Sequence, residues 1–108
     1  MGTCHKERKI QMNNLKNEIE IEGYVDKLSS SPGIDKYGYE YITFILHYPR
    51  GNKKDNYFRC RVIDSQELIK EVQSLKSGQL VMVKGELIDF MQGGMPKTNI
   101  LVKELKQL

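Results

Sequence analysis

The segment "NYFRCRVID", Asn56 to Asp64, sets Tyr57, Arg59 and Arg61 at alternate positions, with Phe58, Cys60 and Val62 between them. Successive side chains of an extended chain point to opposite faces, so this spacing makes one face of a ring and two guanidinium groups and another that is apolar. Flat rings stack on exposed nucleobases and cations pair with phosphates, the two contacts by which single-stranded nucleic acid is held. Aromatic residues and arginines are also ordinary strand formers with snorkelling heads, so this face gains meaning only from its neighbours.

Those neighbours lie just upstream. "YEYITFILHY" alternates Ile42, Phe44 and Leu46 inward against Tyr41, Thr43, Ile45 and His47 outward, and Tyr41 and His47 can extend an aromatic platform. Between the two strands, "PRGNKKDN" is read as a flexible loop whose Arg50, Lys53 and Lys54 reach phosphates. Lys36, Tyr37 and Tyr39 in the preceding turn-rich stretch, and Lys97 near the last loop, are lesser candidates.

Catalytic chemistry has no visible machinery. The only histidines are His5 and His47, and neither stands in a pattern that offers a paired acid and base or an activated nucleophile. Adjacent Cys4 and His5 lack a second ligand pair, "GGMP" at Gly93 to Pro96 is hairpin chemistry rather than a phosphate loop, and Cys60 fits a small core residue. Neither an enzyme nor a metal or other cofactor is expected.

The elements that must position these residues follow from pattern. The sequence has 108 residues, 39% hydrophobic and 29% charged, which suits one domain with a modest core; its net charge of +3 permits a nucleic-acid partner without requiring one. No apolar run spans a bilayer and no secretory signal is apparent, so a cytoplasmic protein without membrane contact is expected. Residues 1–14 read as a flexible basic arm and residues 15–108 as the domain. "NEIEIEGYV" sets Ile19, Ile21, Gly23 and Val25 against Glu18, Glu20, Glu22 and Tyr24, a strand whose acidic face would repel phosphate. "DSQELIKEVQSLKSG" changes to helical spacing through Leu68, Ile69, Val72 and Leu75; Asp64 is the expected cap with Glu67 reaching back, Lys76 falls in the last turn and Gly78 takes the left-handed end. "QLVMVKGELIDF" places Val81, Val83, Gly85 and Leu87 on one face, and "KTNILVKELKQL" offers Ile100 and Val102. Three strands, one helix and two strands is the order of the OB-fold, a small all-β Greek-key barrel of five strands.

Three stretches carry a resemblance. "LKSGQLVMVKGEL", "YITFILHY" with "NYFRCRV", and "IEIEGYV" resemble the helix-to-strand segment and the first three strands of the bacterial single-stranded DNA-binding protein family, from Asn14 to Leu105. The resemblance implies an OB-fold homodimer or homotetramer that binds single-stranded DNA without base specificity in replication, repair or replication restart. The short, tailless members similar to primosomal replication protein N are included, with replication or restart proteins as further partners. It also implies that Tyr57 stands where the family carries a stacking tryptophan and Ile63 at a second aromatic position; the chain has no tryptophan. Two other readings stay open: a protein-interaction module of a restart or mobile-element complex, and an RNA-binding OB-fold protein.

Overall fold

Alternating apolar residues draw most of the chain into strands that bury one face. The computed structural model describes residues 15–28 and 31–108; the expected arm, residues 1–14, lies outside them. The order is β1 (Ile19–Leu28), β2 (Gly33–Ile34), β3 (Glu40–Arg50), β4 (Lys53–Ile63), α1 (Gln66–Gln73), β5 (Leu80–Gln92) and β6 (Met95–Gln107). Sheet neighbours run β1-β5-β6-β4-β3-β2, and β1 also pairs with β3, so the five long strands close on themselves. The two-residue β2 is an outer attachment to β3, inside the stretch read from sequence as a turn. Strands β4 and β6 pair in parallel through Cys60↔Ile100 and Arg61↔Leu101, and the other pairings are antiparallel. With α1 between β4 and β5, this is the expected OB-fold.

The barrel interior holds Val25, Ile42, Phe44, Leu46, Cys60, Val62, Val81, Val83, Ile100 and Val102, with Ile69, Val72 and Leu75 packed in from the α1 segment. Phe58 packs against this core but is only half-buried. Gly85 sits at a bulge, where the β5–β6 register shifts between Lys84 and Gly85. Leu87, expected inward, is 46% exposed: its face is internal only while β5 lies in the barrel wall, and the β5–β6 ribbon runs on to its tip at Gln92↔Met95. There Asn17 bridges the β5 backbone, its Nδ2 donating to Leu87 O at 2.8 Å and its Oδ1 accepting from Leu87 N at 2.9 Å.

Helix α1 is shorter than its apolar spacing suggests. Ser65, not Asp64, is the N-cap: its backbone is extended and its hydroxyl accepts from Leu68 N at 3.3 Å, while Asp64 takes a left-handed φ of 55°. The shift by one residue puts Leu68 where Glu67 was to complete a capping box. The helix is capped at Ser74, so Lys76 and Gly78 fall in the turn into β5, where Gly78 N donates to Val25 O at 2.6 Å.

One tight turn replaces an expected loop, and a second is the hairpin expected at Gly93 to Pro96. Arg50 pairs with Lys53 across Gly51 and Asn52, so Arg50, Lys53 and Lys54 sit on the ends of paired strands rather than on a flexible clamp. At the other hairpin Gln92 pairs with Met95 across Gly93 (φ 60°) and Gly94 (φ 79°), the two positive angles that a type I′ turn requires.

Candidate nucleic-acid interface

The β3–β4 register decides which outward side chains meet. Opposite pairs are Tyr41↔Ile63, Thr43↔Arg61, Ile45↔Arg59 and His47↔Tyr57, so Tyr41, His47, Tyr57, Arg59 and Arg61 share one face, as expected. Strand β1 adds to it through Tyr24↔His47 and Lys27↔Ile45. The face therefore carries a three-ring row, Tyr24–His47–Tyr57, beside a second row, Lys27–Ile45–Arg59. Arg50, Lys53 and Lys54 lie at the end of the same ribbon, beyond the Tyr48↔Asn56 pair.

Sequence reasoning left Tyr24 and Lys27 out of this face. Alternation sends Tyr24 outward, but its neighbour His47 follows only from the β1–β3 pairing that closes the barrel. Lys27 is turned to this side by a bulge between Val25 and Lys27, against the strict alternation that would put it inward. Asp55 is the third omission, and here a signal existed: it stands two residues before Tyr57, on the same alternating face.

The rings and cations are held in place. His47 and Tyr57 stack with centroids 4.8 Å apart and planes 7° from parallel. On the imidazole's polar edge, His47 Nε2 lies 2.7 Å from Asp55 Oδ2, and the other carboxylate oxygen accepts from Arg50 N at 3.2 Å. These bonds, that to His47 first, hold Asp55 below the usual carboxylate range. A carboxyl depressed in the folded state stabilises it at neutral pH, and the contribution is lost as pH falls through the lowered value. The Arg61 guanidinium lies over the Tyr41 ring, 4.7 Å from its centroid. Burial lowers Arg61 from the ordinary arginine value, yet an arginine stays cationic in a protein. Tyr57 is 59% exposed, leaving ring surface open to a ligand.

The rest of the chain offers other chemistry little. Burial pushes the Cys60 thiol up to about 12, which leaves it protonated and inert. Among the described residues no group of His, Cys, Asp and Glu could hold a metal ion, and no helix is long and apolar enough to cross a membrane. The acids of β1 lie along its pairing with β5, where Lys84 Nζ stands 3.6 Å from Glu20 and 3.8 Å from Glu104. These exposed pairs add little stability.

No protein-family model matches the chain, and no curated protein sequence does. Solved structures do. The dimeric N-terminal domain of PriB from Thermoanaerobacter tencongensis superposes with a TM-score of 0.64 at 19% identity, over 85% of this chain and 96% of that one. The Plasmodium falciparum SSB in complex with ssDNA gives 0.66 at 23% identity, over 87% and 96%. Rim1, a mitochondrial single-stranded DNA-binding protein of S. cerevisiae, gives 0.72 at 14% identity, over 87% and 96%. Likeness at these identities is likeness of fold, and it covers 85–87% of this chain.

Proposed function

We propose that the chain binds single-stranded DNA, without an enzymatic step or a required cofactor, through the outward face of β3 and β4 with Tyr24 and Lys27 of β1, away from the acidic start of that strand, and serves replication, repair or replication restart. The observation that carries this reading is the ring row Tyr24–His47–Tyr57 beside Arg59 and Arg61 on a rigid barrel wall. Stacking uses the flat face that every base has, and phosphate pairing uses the backbone, so neither contact discriminates sequence. A duplex hides its base faces, which favours the single strand. Solved structures with this fold include single-strand binders, one of them with DNA bound.

Titration of tyrosine fluorescence with oligo-dT, oligo-U and duplex DNA at two salt concentrations tests the proposal. Oligo-dT is expected to bind more tightly than duplex, with a log–log salt slope steeper than about −2 if several cations meet phosphates. Tyr57→Ala should weaken binding by about 1–3 kcal/mol with an unchanged slope, because the lost contact is uncharged. Arg59→Gln should weaken binding and also flatten the slope by about 0.7, one phosphate contact fewer. Equal affinity for duplex rejects the reading, and a response to oligo-U alone transfers the face to RNA.

Self-association into a dimer or tetramer belongs to the same proposal. Strand β1 pairs with β5 over Ile19–Tyr24 but with β3 only from Tyr24 onward, which leaves the Ile19–Gly23 edge open on that side. A groove there is lined by Ile19, Ile21 and Tyr48 together with Glu20 and Glu22, a mixed surface beside unpaired backbone that a second chain can cover. Light scattering at micromolar concentration should give at least twice the chain mass of 12.5 kDa; a strictly monomeric particle rejects it.

A further inference from the structure

By charge alone, Asp55 is misplaced. It stands at the alternate position before Tyr57, on the side of β4 that presents Arg59 and Arg61, and its lowered titration keeps it anionic at neutral pH. A fixed carboxylate beside a path for phosphates opposes binding. Its contacts give it a different task.

The carboxylate is anchored at one end and grips a ring at the other. Oδ1 accepts from Arg50 N at 3.2 Å, which ties Asp55 to the end of β3, and Oδ2 lies 2.7 Å from His47 Nε2. Only 27% of the His47 side chain and 35% of the Asp55 side chain are exposed, so their bond is partly sheltered from water. The imidazole so held lies flat against Tyr57, with planes 7° from parallel. One face of the Tyr57 ring is thereby covered, while the residue stays 59% exposed, which leaves the opposite face for a base. A side chain that must be immobilised on binding forfeits part of the contact it makes, and a ring already backed by a second, anchored ring does not.

We propose that Asp55 is a positioning residue for single-strand binding: through His47 it holds the Tyr57 ring in the orientation that receives a base. The inference rests on the proposed stacking at Tyr57, to which it adds the group that sets the ring. Carboxylate, imidazole, phenol ring and base then form one line of contacts, of which the first two links are in place before DNA arrives. The carboxylate's repulsion of phosphate is offset by the order it imposes on the ring.

The test compares Asp55→Asn with Asp55→Ala. Both remove the charge, but only the amide keeps a hydrogen-bonding partner for the His47 ring nitrogen, whichever tautomer is present. Neither removes buried apolar surface, and circular dichroism melts verify the fold of each variant. Affinity is read from the anisotropy of dye-labelled oligo-dT of about a dozen nucleotides, at fixed pH and low salt. Asp55→Asn should bind about fivefold more tightly than Asp55→Ala, the scale of ordering one side chain on binding. Each substitution is then combined with Tyr57→Ala, and separately with His47→Phe, which keeps a flat ring and loses the nitrogen. In both settings the fivefold difference should vanish. Equal affinity of the two single variants overturns the positioning role while single-strand binding stands. A difference that persists beside His47→Phe assigns the effect to the Arg50 bond, and one that persists beside Tyr57→Ala assigns it to another contact; either overturns the proposal. Failure of the parent protein to bind any single strand overturns the general function as well.

Discussion

Gly85→Val is expected to leave the chain largely unfolded, and Gly85→Ala to do nearly as much damage. A Cβ built at Gly85 falls inside the contact shell of Leu101 O and stands 2.9 Å from the Leu101 carbonyl carbon and 3.2 Å from Val102 Cα. All three are backbone atoms of β6, the strand with which β5 pairs, so no rotamer change relieves the collision. The ribbon must part at its bulge, where Gly85↔Val102 resumes the register, and Val102 is a core residue. The loss should reach several kcal/mol, against a total of about 5–15 kcal/mol for a domain. Because the clash begins at the first side-chain carbon, Ala and Val should behave alike, unlike a site where added bulk is what matters. Thermal melts of both variants read this out, and an unchanged midpoint for Gly85→Ala would show that the two strands do not approach as described.

The second large effect is expected from Phe44→Ala. Phe44 is 1% exposed and, among the described residues, is the largest fully buried side chain in the barrel. Truncating such a residue costs about 3–5 kcal/mol, from lost burial and from the cavity left behind. For a domain this size each kcal/mol lowers the melting midpoint by roughly 4–8 °C, so the variant should melt more than ten degrees early. Phe58→Ala should cost less, because that ring is only half-buried against the core. Tyr57→Ala, one residue away on the opposite face, should melt with the parent protein while losing single-strand affinity. If Tyr57→Ala unfolds the chain and Phe58→Ala does not, the strand register is displaced by one residue and every facing side chain changes sides.

What could be read from the sequence is what alternation alone determines. The opposed faces of β3 and β4 follow from a period of two, and Tyr41, His47, Tyr57, Arg59 and Arg61 fall together because both strands keep that period from the Tyr41↔Ile63 pair to the Tyr48↔Asn56 pair. What could not be read depends on distant partners or on a one-residue choice. Lys27 changes face at a bulge, and a bulge leaves no mark in a pattern of charged and apolar residues. Leu87 keeps its strand but loses its cover where the β5–β6 ribbon outruns the barrel. Asp64 and Ser65 are adjacent and equally good caps by residue type; the structure gives the role to Ser65 by placing Asp64 in a left-handed turn. In place of the loop expected at Arg50–Lys54, Gly51 and Asn52 suffice to reverse the ribbon, which leaves the lysines inside a strand.

Closure of the barrel through β1 governs how the binding face comes into being. The β3–β4 and β5–β6 ribbons join sequence neighbours, and hairpins of that kind form within about 1–10 μs. Strand β1 must also find β5, pairing Ile19 with Gly85 far along the chain, and such searches place all-β domains in the millisecond-to-second range. Tyr24 and Lys27 stand beside the stacked His47–Tyr57 pair and Arg59 only while β1 stays in the barrel wall. Single-stranded DNA that engages β1 and β3 together binds the closed barrel alone, so its presence should slow the reopening of β1.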